Sequence, residues 1–119
     1  MPKRSRTQPE TCLSGYRFMW LLVMFDLPVG TKSERRHATR FRQWLLDEGF
    51  EMSQFSIYMR LCAGKEQAER RIKAIGKAKP PKGSVNVLSV TDRQFEQMVV
   101  YRNSKREPGP AIPEQLALF

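Results

Sequence analysis

Little in this chain can ligate a soft metal: its 119 residues include two cysteines and one histidine. Cys12 and Cys62 lie too far apart for a zinc knuckle and are too few for a disulfide framework, so both read as ordinary reduced thiols. His37, the lone histidine, reads as a surface residue rather than a general base. No phosphate-cradling glycine loop, dinucleotide fingerprint or HExxH pair is present. Long hydrophobic runs are missing too. The longest, Phe18 to Phe25, has eight residues and cannot span a bilayer. With the basic start Met1 to Arg6 it imitates a secretory signal, but Asp26-Leu27-Pro28 stands where a small-residue cleavage site would, so the protein is expected in the cytoplasm.

Acids are outnumbered, 12 against 21 lysines and arginines, which leaves a formal charge of +9 and an isoelectric point near 10.1. Such a chain attracts phosphate backbones. The excess is concentrated: residues 60–82 carry eight basic residues against two acids, and residues 83–119 carry four against four. Binding through that patch should depend on salt and be largely indifferent to sequence. The helix predicted there has only Ala68, Ile72 and Ile75 as an apolar stripe, too thin for an anchor, so no membrane partner is expected.

The Phe18 to Phe25 run is rich in Trp, Phe and Val and is followed by the breaker Leu27-Pro28-Val29-Gly30. It predicts a buried strand that delivers one carboxylate, Asp26, to the edge of a sheet. Asp before Pro and Gly equally suits a plain turn or helix cap. Thr31-Lys32-Ser33-Glu34 matches a capping box, so a helix starts there, and Gly49 ends it in the place of a left-handed C-cap. Ala38, Phe41, Trp44, Leu45 and Glu48 form its packing face, with Glu48 as the solvated edge. Arg35 and Arg36 occupy the first turn, where the helix dipole disfavours a cation by roughly 0.3–1 kcal/mol. Phosphate binding would account for them, whereas Arg40 and Arg42 suit either phosphate contact or a solvated face.

Phe50 to Cys62 alternates, with Phe55, Ile57, Met59 and Leu61 on one side and Ser56, Tyr58, Arg60 and Cys62 on the other. A bend near Ser53-Gln54 would make Phe50 to Met52 a short separate strand. Lys65 to Lys79 reads as a second helix with Ala68, Ile72 and Ile75 inward and Lys65, Arg70, Arg71, Lys73 and Lys77 outward. Val85 to Val90 is the next strand, Thr91 to Phe95 a turn or single helical turn, and Gln97 to Tyr101 a last short strand. The order fits an α+β fold, a ferredoxin-like βαββαβ sheet with helices on one face and an additional C-terminal strand. One domain over residues 18–102 is expected, between an extension at 1–17 and a tail at 103–119. A core this small with an open sheet face favours a homodimer.

Asp26, Arg35-Arg36, the helix with Phe41, Leu45 and Gly49, and Gln54-Phe55-Ser56-Ile57-Tyr58 together resemble the small CRISPR-associated adaptation proteins, the "Cas-two" family. The similarity is detailed from Trp20 to Leu61 and looser to Tyr101, and the wording around Met24 to Pro28 and Ser56 to Leu61 is most similar to members from type II systems. The resemblance implies a ferredoxin-like homodimer whose paired strand-end acids hold a divalent metal such as Mg²⁺. It implies both a metal-dependent endonuclease and a scaffold that sits between two dimers of the integrase "Cas-one" and holds double-stranded DNA for insertion into a repeat array. Single-stranded RNA is the alternative ligand. By this resemblance Asp26 is the catalytic and metal-binding acid and Arg35 and Arg36 are backbone contacts, with Ser56 positioning Asp26 and Met98 to Tyr101 pairing across the dimer. Composition adds Arg40, Arg70, Arg71, Lys73 and Lys77 as nucleic-acid-binding candidates. One acid per subunit is sparse for hydrolysis, so the expected role is mainly architectural. A stand-alone ribonuclease of the virulence-associated toxin type and a generic ferredoxin-like RNA-binding module are the competing readings. Asn103 to Pro110 reads as a linker, and Ala111 to Phe119 as a docking segment or a disordered end.

Overall fold

The computed structural model describes residues 18–109; the readings placed on 1–17 and 110–119 fall outside them. The predicted buried strand is present as β1 (Met19–Asp26), and Leu21, Val23 and Phe25 are buried along it at alternate positions. It runs antiparallel to β3 (Ile57–Cys62) on one side and to β4 (Ser84–Thr91) on the other. The short β2 (Glu51–Gln54) pairs with β3, giving the sheet order β2-β3-β1-β4. The bend expected near Ser53-Gln54 appears as a register shift between Met52 and Gln54. This is the ferredoxin-like α+β closure expected from the element order.

Two helices cover one face of the sheet. α1 (Lys32–Asp47) starts at the Thr31 N-cap, where the Thr31 hydroxyl accepts from the Glu34 amide at 3.0 Å and the Glu34 carboxylate accepts from the Thr31 amide at 3.0 Å. α2 (Lys65–Ala78) follows β3. Phe41 and Leu45 from α1 and Ala68 and Ile75 from α2 close over Leu21, Val23, Phe25, Tyr58 and Cys62. Phe25 sits edge-on to Phe41, with centroids 5.4 Å apart at 81°, and stacks on Tyr58 at 5.6 Å. Each large side chain fully buried this way contributes about 1.5–3 kcal/mol. Burial pushes the Cys62 thiol above its ordinary value, which keeps it protonated and inert.

The expected single turn is α3 (Asp92–Glu96), which has its own Thr91/Gln94 capping box. Its Phe95 reaches the sheet face away from α1 and α2 and stacks on Trp20 at 4.2 Å. The Trp20 Nε1 is buried there with no hydrogen-bond partner among the described residues.

Three readings are corrected. Ile72 is exposed rather than core, and Ala68 and Ile75 are the residues α2 buries. Gln97 to Val99 is not strand, since the Gln97 and Met98 amides bond back to the Gln94 and Phe95 carbonyls and close α3. The stretch read as a linker carries a strand: β5 (Val100–Arg102) and β6 (Lys105–Glu107) form a hairpin turned by Asn103 and Ser104, at φ 54° and 68°. Positive φ at both central residues is the hairpin turn geometry that Asn tolerates.

Arg60 ties the layers together. Its Nε donates to the Glu48 carbonyl at the end of α1 at 2.9 Å, and its Nη1 donates to the Leu61 carbonyl at 3.0 Å. Gly49 makes room for it: at φ +90°, a Cβ there would lie 3.0 Å from Arg60 Nε. Gly49→Ala is expected to lower stability by about 1–3 kcal/mol, the usual scale for strained backbone, as read from urea unfolding.

Candidate nucleic-acid interface and strand-end acid

Alternation along β1 sets the direction of Asp26. Leu21, Val23 and Phe25 point into the helix-covered core, so Trp20, Leu22, Met24 and Asp26 lie on the opposite face. Asp26 is exposed and makes no side-chain hydrogen bond or ion pair among the described residues. Its backbone is fixed from both sides: it pairs with Ser84 of β4, and the preceding Phe25 amide donates to the Ser56 carbonyl at 3.0 Å. The Ser56 main chain thus braces the strand one residue before Asp26.

Gly83, just before β4, approaches more closely. It has φ +91°, and a Cβ there would meet the Asp26 carbonyl oxygen at 2.6 Å and Leu27 and Pro28 side-chain carbons at 3.0 Å. Only glycine fits both the conformation and the gap. Gly83→Ala should displace the strand end, shifting the amide resonances of Leu27 and Ser84 while leaving those of the distant β3–α2 junction in place.

The predicted cations separate into two groups. Arg36, Arg70 and Lys73 are exposed on the outer surfaces of α1 and α2, and Arg40 and Lys77 are exposed beside the hollow between the two helices. Arg35 is exposed but donates from Nη1 to the Val29 carbonyl at 3.1 Å, bracing the loop after Asp26. Arg71 is a correction: it is half-buried and bonded to Glu48 at 2.6 Å, joining α2 to α1, and Glu48 is therefore not a free solvated edge. Arg42 lies with its guanidinium carbon 5.9 Å from the Phe25 ring centroid. Sequence reasoning missed Arg60 altogether as an anchor. Its signal was a long cation on the strand side shared with buried Tyr58 and Cys62.

Mg²⁺ is often held by one or two carboxylates completed by water and substrate phosphate. Asp26 fits as one such ligand, although no group of three His, Cys, Asp or Glu among the described residues forms a closed metal site. No helix among them is long and apolar enough to cross a membrane.

The fold and the strand-end acid define a small basic ferredoxin-like protein with a single exposed carboxylate at the end of its central strand. A solved structure described as a crystal structure of cas2 shares that fold, with a TM-score of 0.50 at 20% identity over 81% of this chain and 99% of its own. The family model described as CRISPR associated protein Cas2 matches residues 19–98. A CRISPR-associated endoribonuclease Cas2 of Paracidovorax avenae is 46% identical over 90% of this chain and 99% of its own length. The protein of the same description from Flavobacterium psychrophilum is 45% identical over 92% and 95%. The chain belongs to the Cas2 family of CRISPR-associated proteins.

Proposed function

We propose that this protein acts in the cytoplasm as a homodimer in CRISPR adaptation, holding double-stranded DNA beside the "Cas-one" integrase, with a secondary Mg²⁺-dependent endonuclease activity centred on Asp26. The observation that carries this reading is the exposed Asp26 carboxylate on the open sheet face, without a side-chain partner among the described residues. One carboxylate per chain is a sparse catalytic set, and a second copy packed on that face would supply another. Leu88, at 49% exposed, and half-buried Leu22 and Met24 give that face the apolar surface a second copy would cover. Bound metal would polarise a phosphodiester and activate water. The chain's own part is to hold Asp26 at the strand end through Ser84, Ser56 and Gly83, and to bind phosphates through Arg36, Arg70 and Lys73.

A second reading makes RNA cleavage the main activity, and the relatives described as endoribonucleases favour it. Family membership favours either over the toxin or the generic RNA-binding module. Asp26→Asn separates the two. It should abolish Mg²⁺-dependent cleavage of a labelled RNA strand while leaving integrase-dependent insertion of a short duplex into a repeat-bearing plasmid within about twofold, less than 0.5 kcal/mol. Loss of integration by a variant that still dimerises would overturn the architectural reading.

The phosphate-binding assignment has its own test. Arg36→Glu with Lys73→Glu should weaken duplex binding and flatten the dependence of log K on log salt by about 0.9 for each phosphate that is no longer neutralised. An unchanged slope would remove both residues from the interface.

A further inference from the structure

Between α1 and α2 runs a trough whose chemistry differs from the outer helix surfaces. Its floor is apolar, built by Trp44 from α1, Ala74 and Ala78 from α2, and Pro80 and Pro81 just beyond. Its other lining is cationic, with exposed Arg40 from α1, Lys77 from α2 and Lys79 just beyond α2. Lys79 spends one N–H on the Gly76 carbonyl at 2.8 Å. The acid in the wall, Glu48, is already neutralised by Arg71. Past His37 and the two prolines the trough continues into a second hollow walled by Leu27, Pro28, Ala38, Glu34 and Lys82, the last two paired at 3.9 Å, so the unopposed charge lies at Arg40 and Lys77.

Nucleic acid is poorly matched to such a surface. The prolines present no N–H to a phosphate. Trp44 is half-buried, with its ring at 9° to that of Phe41 and 6.2 Å away, so successive bases find no row of free aromatic faces. Small aliphatic depressions beneath unopposed positive charge suit a peptide segment with aliphatic anchors and flanking carboxylates. The geometry points to a docking site for an acidic amphipathic segment of a partner protein, its aliphatic side chains on Trp44, Ala74 and Ala78 and its carboxylates on Arg40 and Lys77. From His37 to Glu48 the α1 wall rises about 16 Å at 1.5 Å per residue, and the opposite wall runs from Ala74 to Pro81. The site is separate from Asp26, which lies on the other sheet face.

Fluorescence anisotropy tests this with a labelled peptide carrying leucines at i, i+3, i+4 and i+7 among glutamates, compared with polyglutamate of equal length and with an oligouridine strand. The leucine-bearing peptide should bind more tightly than polyglutamate. Ala74→Trp, which fills the floor, and Lys77→Glu, which removes rim charge, should each weaken it about tenfold. Arg36→Glu, on the outer surface, should leave peptide binding within about twofold. Circular dichroism melts establish that the variants fold, and Lys77→Glu at an exposed position keeps the test standing if Ala74→Trp does not. Equal binding of polyglutamate, indifference of the peptide to a folded Ala74→Trp or to Lys77→Glu, or loss of oligouridine binding alone on filling the floor would overturn the proposal. None of these outcomes depends on Asp26 or on duplex binding.

Discussion

The register of β1 against its two neighbours is the constraint on which the rest depends. Met24 faces Ile57 of β3 and Asn86 of β4, and this pairing fixes which side of the strand each residue occupies. A slip of one residue would turn Asp26 under α1 and push Leu21 and Val23, both fully buried, onto the open face. Burying a lone carboxylate while exposing two core side chains is strongly unfavourable on both counts. The same packing that stabilises the sheet therefore holds the Asp26 carboxylate in solvent. Gly83 and the Phe25–Ser56 bond add local precision to a position already set by the core.

The second organising feature is the division of labour among the cations. Arg60 and Arg71 leave the surface charge for the seam between α1, β3 and α2, one donating to the Glu48 carbonyl and the other to its carboxylate. Glu48 thereby anchors both through one residue at the end of α1. A partly buried, hydrogen-bonded guanidinium meets the needs of orphan carbonyls at a helix end, which is also why the cations there oppose no dipole. What remains outside is a reduced set of exposed cations, Arg36, Arg40, Arg70, Lys73 and Lys77. The trough between the helices divides this set, since Arg40 and Lys77 border an apolar floor and Arg36, Arg70 and Lys73 do not.

Much of the framework was legible because its signals are local. The Thr31/Glu34 capping box, the Gly49 stop and the alternation of β1 each depend on neighbours within a few residues, and each appears where the sequence puts it. The hairpin at Val100 to Glu107 was not legible, because Asn103-Ser104 amid charged residues has the composition of a linker and declares its turn only through backbone dihedrals. Arg71 was misassigned for another reason. Helical periodicity places it on the flank of α2, and only the presence of Glu48 on the adjacent helix decides between solvent and partner.

The amino-acid sequence by itself determined the element order, the basic character, the capping of the first helix and the single acid at the end of the central strand. These follow from short-range periodicity, capping chemistry and composition, which need no knowledge of distant neighbours. Tertiary structure alone decided which arginines are structural, how closely Gly83 approaches Asp26, and that an apolar trough with a charged rim lies between the helices. Those properties arise where residues far apart in the chain are brought together, as Glu48 and Arg71 or Gly83 and Asp26 are, and a one-dimensional pattern carries no record of such meetings.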